Sequence, residues 1–148
     1  MLLTGAKMKD ISVLVVDDQS HAREHLKKIL EENIGCTVVA VGSGKEALAE
    51  VKTHVPDIIL LDAMMPHMDG YATCQKLRSR YATRDVPIIF VTADDRRDSI
   101  DKCLIAGASD FVTKPVMYSL LYHRMRTQIT LQHLQKRVRV HETKPKDD

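Results

Sequence analysis

Cysteine is scarce and unpaired in this 148-residue chain: Cys36, Cys74 and Cys103 are odd in number, far apart and outside any C-x-x-C motif. Neither a disulfide framework nor a zinc site is indicated, and a reducing, cytoplasmic setting fits best. No apolar run approaches the ~18 residues of a membrane span, and the opening MLLTGAKMKD lacks a basic start followed by a long apolar stretch. A soluble chain without a readable export signal is expected. Charge of one sign is lacking as well, because 22 basic residues face 20 acidic ones. A net charge of +2 gives no overall field to draw nucleic acid or an acidic substrate. The seven histidines, at 21, 25, 54, 67, 123, 133 and 141, form no H-E-x-x-H or comparable metal pattern, so surface positions are expected for all of them.

What is present is apolar content of 44%, enough in 148 residues for one core and too little for two ordinary domains and a linker. Charge is uneven along the chain. Residues 1–110 hold 17 acidic and 14 basic side chains, and the remainder 3 and 8. Strand-length apolar runs recur at Ile11 to Val16, Thr37 to Val41, Asp57 to Leu61, Val86 to Thr92 and Ser109 to Thr113. The first, third and fourth are Val, Ile and Leu almost without alternation, as strands of a parallel sheet covered on both faces are. Between them lie stretches of helical period: Ala22, Leu26, Ile29 and Leu30 before Gly35, then Ala47, Leu48 and Val51. Ser43 and Glu46 form a capping box at the start of that second helix, and Pro56 marks its exit. A third helix should follow Asp69-Gly70 with Tyr71, Cys74 and Leu77, and a fourth should lie between Asp95 and Ala106, ending at Gly107. The alternation predicts an α/β fold, a doubly wound five-stranded parallel sheet with right-handed crossovers.

Ligands of such sheets bind where loops converge at the carboxyl ends of the strands. The first strand delivers Asp17-Asp18 there, the third Asp62, the fourth Thr92 and the fifth Lys114-Pro115. Taken singly, an Asp-Asp pair could simply start a helix and a threonine could simply end a strand. Together, three carboxylates, a hydroxyl and an ammonium make a pocket with work to do. Clustered carboxylates raise one another's proton affinity unless a cation sits among them, and Mg²⁺ tolerates a few carboxylates plus waters and phosphate oxygens. A carboxylate needs no general base to attack phosphorus, so Asp62 can serve as nucleophile. Lys114 and Thr92 can then contact the equatorial oxygens of a phosphoryl group.

The set Asp17-Asp18, Asp62-Ala-Met-Met-Pro-His-Met-Asp-Gly70, Thr92-Ala93 and Phe111-Val-Thr-Lys114-Pro115 resembles the receiver domain of bacterial two-component response regulators, the CheY-like superfamily. The resemblance covers roughly residues 10 to 125, with these separated motifs in order. It implies Asp62 as phosphoacceptor, Asp17 and Asp18 as metal ligands with Asp62 and the backbone carbonyl of Met64, and Mg²⁺ as the metal. It further implies Lys114 as the phosphate-contacting lysine, Thr92 and Phe111 as a switch pair, and a flavodoxin-like strand order 2-1-3-4-5. The donor would be a histidine kinase or histidine phosphotransfer protein, and the output face would lie on the last two helices and strand. Phe111 departs from an often-seen tyrosine, losing a hydroxyl but keeping a ring that can swing.

The function this implies is a phosphorelay switch that catalyses only its own phosphorylation and dephosphorylation. One alternative is an aspartyl-nucleophile phosphohydrolase, similar to haloacid dehalogenase-like proteins; their D-x-D motif places a general acid where this chain has Met64, which donates no proton. The other is an unphosphorylated protein-binding domain, against which the complete acidic pocket argues. The expected organisation is a tail over 1–10, the receiver over 11–125, a basic extension of the last helix over 126–141 and a polar tail over 142–148. In the last helix, Met117, Leu120, Leu121 and Met125 are expected to dock on the body. Thr127, Leu131, Leu134 and Val138 would form a 4-3-4 seam flanked by Arg124, Arg126, Lys136, Arg137 and Arg139, suited to a homodimer or partner helix. Nucleic acid is not expected as a partner of this chain alone, since one short helix offers little beyond phosphate attraction.

Overall fold

The computed structural model describes residues 5–138. Among them are five strands, β1 Ser12–Val16, β2 Thr37–Val41, β3 Ile58–Leu61, β4 Ile88–Thr92 and β5 Asp110–Thr113. All pair in parallel in the order β2-β1-β3-β4-β5. Five α-helices connect and follow them: α1 Ser20–Ile29, α2 Gly44–Thr53, α3 Gly70–Arg78, α4 Arg97–Ala106 and α5 Tyr118–Val138. The expected alternation and strand order are both present. Every residue of β3 and β4 is buried, which is why those runs carry no polar alternation.

Two apolar layers follow from the period of two along each strand. Val13, Val15, Ile58, Leu60, Ile89 and Val91 point to one side, where Leu26 and Leu30 of the first helical segment and Leu121, Met125 and Ile129 of α5 cover them. Leu14, Val16, Ile59, Leu61, Ile88 and Phe90 point to the other, beneath Ala47 and Val51 of α2, Cys74 and Leu77 of α3, and Cys103 of α4. The three cysteines are all free and buried and serve as core packing.

Helix boundaries follow local chemistry. The Ser43 hydroxyl caps α2 by accepting from the Glu46 amide at 3.1 Å, and it donates to the Glu46 carboxylate at 3.0 Å. Asp69 caps α3 by accepting from the Ala72 amide at 2.8 Å. The segment after α1 widens into a π-turn over Leu30–Ile34 and stops at Gly35, whose φ of 87° suits glycine; Gly107 stops α4 at φ 107°. A 3₁₀ turn over Gly5–Asp10, not foreseen from the sequence, seats Met8 in the α1/α5-side core with no exposed surface.

The docking face of α5 differs from expectation. Leu121, Met125, Ile129 and Gln132 are buried, whereas Met117 and Leu120 are exposed. Residues 121, 125, 129 and 132 form a single stripe at helical spacing, and Leu120 and Met117 lie to one side of it. Buried positions therefore continue past residue 125 to Gln132, whose side-chain amide reaches the Asp85 carbonyl at 3.5 Å. Leu131, Leu134 and Val138 do remain exposed, at 46%, 44% and 73%. Arg139 and residues 140–148, part of the seam and tail expectations, lie outside the described residues, as do residues 1–4 of the N-terminal tail. No helix among the described residues is long and apolar enough to cross a membrane.

Candidate functional site

The carboxyl edge of the sheet gathers the sequence-predicted side chains: Val16 at the end of β1 pairs with Leu61 at the end of β3, Leu61 pairs with Phe90, and β4 and β5 run two residues further to their paired ends at Thr92 and Thr113. The residues one or two steps beyond each strand therefore converge. Oxygens of Asp17, Asp18 and Asp62 lie within 4.8 Å of one another. Lys114 reaches over from the end of β5, its ammonium 3.1 Å from Asp17 Oδ2.

Each carboxylate is held differently. Asp17 is buried; its Oδ1 accepts from the Gln19 amide at 2.9 Å, and its carbonyl accepts from the Arg23 guanidinium at 2.8 Å. Asp18 is half-buried, and its Oδ1, shielded from solvent, has no hydrogen-bond partner. Asp62 is buried, with Oδ1 accepting only a long 3.3 Å bond from the Met64 amide. Burial pushes the Asp62 carboxyl up to about 6; Lys114 pulls it down, Asp17 pushes it up, the Met64 amide lowers it and Asp18 raises it again. Three close carboxylates with one ammonium, and one orphaned oxygen, are a donor set short of positive charge. The oxygen chemistry fits a hard divalent cation.

Gly70 fixes the wall beside Asp62. A Cβ there would collide with the Asp62 carbonyl oxygen and lie 2.8 Å from Ala63 Cα, so only glycine lets α3 begin so close. The Gly70 amide donates to the Ala63 carbonyl at 2.9 Å. Met64 is exposed, Met65 plugs the core below, and His67 stands exposed in the left-handed region at φ 67°. Nothing brings His67 into the acidic cluster, in line with its reading as a surface histidine.

Thr92 ends β4 fully buried, its hydroxyl accepting from the Asp94 amide at 3.1 Å. Phe111 is half-buried on β5 opposite Phe90 and packs against the core under α2, α3 and α4. On the same side Tyr71 stacks on Phe90 at 5.6 Å. Sequence reasoning missed the loop after Thr92. There Asp94 accepts from the Arg96 side chain at 2.9 and 2.7 Å, from the Arg96 amide at 3.1 Å and from the Ser99 hydroxyl at 2.6 Å. Those bonds hold the Asp94 carboxyl well below the usual carboxylate range, the Arg96 guanidinium foremost and Ser99 next. A D-x-R-x-x-S run ahead of a helix was the available signal. An open cleft of about 580 Å³ lies over Asp62, lined also by Gln19, Met64, Ala93, Asp94, Asp95, Arg96 and Lys114. Arg78 was missed too: its guanidinium donates to the carbonyls of Val86 at 2.6 Å and Gly107 at 2.8 Å, tying the entry of β4 to the end of α4.

Comparison with known proteins gives this arrangement relatives. Residues 13–126 match the response regulator receiver domain family. The chain is 41% identical over 118 residues to the response regulator PleD of Caulobacter vibrioides, covering 78% of this chain and 25% of PleD. It is 40% identical over 116 residues to the response regulator MprA of Mycobacterium ulcerans, covering 78% of this chain and 49% of MprA. The chain thus spans about a quarter to a half of the length of these curated relatives. Among solved structures, the Francisella response regulator 1452 receiver domain superposes with a TM-score of 0.74 at 31% identity, over 82% of this chain and 98% of that one. The receiver domain of the sensor histidine kinase PA1611 from Pseudomonas aeruginosa, described with a magnesium ion coordinated in its active site cleft, superposes with a TM-score of 0.74 at 28% identity, over 81% of this chain and 98% of that one. The family match runs from β1 well into α5 and takes in every strand that delivers a side chain to the acidic edge; this chain belongs to the response regulator receiver domain family.

Proposed function

We propose that this chain is a phosphoacceptor switch of a two-component phosphorelay, in which Asp62 receives a phosphoryl group from a phosphohistidine of a histidine kinase or histidine phosphotransfer protein. The observation that carries the reading is Asp62 at the end of a fully buried central strand, within 4.8 Å of Asp17 and Asp18 and facing an open cleft. Asp17, Asp18, Asp62 and the Met64 carbonyl would hold Mg²⁺, as the orphaned Asp18 oxygen and the charge imbalance favour. Bound there, the ion neutralises the carboxylates and draws charge from phosphoryl oxygens.

The protein's own groups account for the rest. An Asp62 oxygen attacks phosphorus, the bond from phosphorus to the donor nitrogen breaks, and the nitrogen keeps its electron pair. Lys114 turns from Asp17 to an equatorial oxygen, since its flexible stem carries a compact charge that can follow the new anion. The Thr92 hydroxyl, which now accepts from the Asp94 amide, donates its own proton to another phosphoryl oxygen. Movement of Thr92 toward the phosphoryl group frees space along β4 that the half-exposed ring of Phe111 fills. The phosphorylated state thereby changes the surface around β5, α4 and α5, where a partner or output domain is controlled. The only covalent chemistry is the chain's own phosphorylation and hydrolysis, in a cytoplasmic setting.

The test is modification of wild type and Asp62→Asn by acetyl phosphate with Mg²⁺, followed by intact mass. The mass of one phosphoryl group on wild type alone supports the assignment. Equal labelling of both proteins would sink it.

A further inference from the structure

We propose that Arg96 selects small phosphodonors: its guanidinium leaves Asp94 and takes the acyl oxygens of an acyl phosphate, which become the leaving carboxylate, as that donor enters the cleft over Asp62. The inference rests on the reading of Asp62 as phosphoacceptor.

Arg96 and Lys114 supply the positive charge on the wall of that cleft, against Asp62, Asp94 and Asp95. An approaching phosphate ester or acyl phosphate dianion meets a mouth dominated by carboxylates, and Lys114 is already engaged by Asp17 at 3.1 Å. Arg96 is engaged too, but in a different way. Its side chain is 79% exposed, against 28% for Lys114, and it holds Asp94 through two parallel bonds at the rim, so the guanidinium can turn into the cleft when a competing anion offers the same paired oxygens. Releasing the guanidinium does not strand Asp94. The carboxylate keeps the Arg96 amide at 3.1 Å and the Ser99 hydroxyl at 2.6 Å. Asp94 therefore acts as a parking place that aims the guanidinium along the cleft wall and keeps two other donors when it leaves.

The chemistry of the two cations divides the work. Lys114 lies at the strand edge beside the acceptor and suits the transferring group. Arg96 stands at the rim immediately before α4, where a planar fork matches the paired oxygens of a phosphate or carboxylate. With an acyl phosphate, the Asp62 oxygen bonds to phosphorus, the bond from phosphorus to the bridging oxygen breaks, and the carboxylate product leaves with the electron pair. The guanidinium at the rim meets that leaving carboxylate as well as the incoming dianion. A protein donor brings its own contacts and has less need of it.

The experiment follows phosphorylation of the full chain by intact mass, comparing wild type, Arg96→Ala, Arg96→Lys and Asp94→Asn with two donors. Acetyl phosphate is a dianion at neutral pH, and phosphoramidate carries one net negative charge. Arg96→Ala should lower the apparent second-order rate constant for acetyl phosphate by about fivefold and that for phosphoramidate by less. Arg96→Lys should recover most of the loss, and Asp94→Asn should raise the acetyl phosphate rate. Added salt should slow wild type more than Arg96→Ala, because the removed charge is the one being screened. Equal rate constants for wild type and Arg96→Ala overturn the proposal. So does an equal loss with both donors that lysine does not restore, which marks a structural role in the loop. If wild type gains no phosphoryl group on Asp62 from either donor, the acceptor assignment itself fails, and the Arg96 proposal falls with it.

Discussion

The Lys114 ammonium rests 3.1 Å from Asp17 Oδ2, and the Asp62 carboxylate beside them receives a single long bond from the Met64 amide. Asp62 is thus less satisfied than Asp17, which accepts from both Lys114 and the Gln19 amide.

One consequence concerns pH. Burial raises the folded Asp62 carboxyl to about 6, above its unfolded value, so folding favours the protonated form. That contribution is fully present below the ordinary carboxylate range and is lost as pH rises through about 6. In Mg²⁺-free buffer, Asp62→Asn should therefore be more stable than wild type at pH 7, by about 1–3 kcal/mol. The gap should close below about pH 4. Urea denaturation at both pH values measures it, and a constant difference would contradict the assigned cause.

Lys114→Ala removes the strongest influence holding the Asp62 carboxyl down. The Asp62 carboxyl should then titrate above about 6, read from its carbon resonance without metal. Phosphorylation by acetyl phosphate should slow by about tenfold or more, the order expected when one positioned charge is lost from a phosphoryl-transfer site. An unmoved titration would show that Lys114 does not sense Asp62.

Gly70→Ala sets a methyl group against the Asp62 carbonyl oxygen and the Ala63 backbone. Backbone cannot yield as a flexible side chain can, so a loss of about 2–4 kcal/mol is expected from urea midpoints, together with weaker Mg²⁺ binding. Unchanged stability would mean that α3 can withdraw from the loop at little cost.

The same residues show how much could be read without coordinates. All five strands and the placement of Asp17, Asp18, Asp62, Thr92 and Lys114 at one edge were legible, because strand ends in a parallel sheet are marked by the change from Val, Ile and Leu to polar residues. The buried stripe of α5 was not. Leu120 and Leu121 are equally apolar, and only packing against β4 and β5 decides that Leu121 turns inward. The Asp94–Arg96–Ser99 clasp was likewise hidden. Charged residues ahead of a helix read as solvated until their distances are known.

Leu131, Leu134 and Val138 are exposed on α5, so the self-association expected of that seam can be tested directly. Because Ile129 and Gln132 are buried, shortening the helix would strip the core, so Leu134→Glu is the cleaner probe. Sedimentation at tens of micromolar should show a weak dimer for wild type, strengthened by salt as flanking like charges are screened, and a monomer for the variant. Monomeric wild type at every salt concentration would leave the seam without a second copy.

Phosphorylation of Asp62 and its spread to Phe111 can be followed by proton–nitrogen correlation spectroscopy of wild type and Asp62→Asn with Mg²⁺ and beryllofluoride, a stable mimic of the aspartyl phosphate. Wild type alone should show shifts that begin at Asp17, Asp62 and Lys114 and extend through Thr92 to Phe111 and the start of α5. Identical spectra with and without the mimic, or the same shifts in Asp62→Asn, would contradict Asp62 as the acceptor.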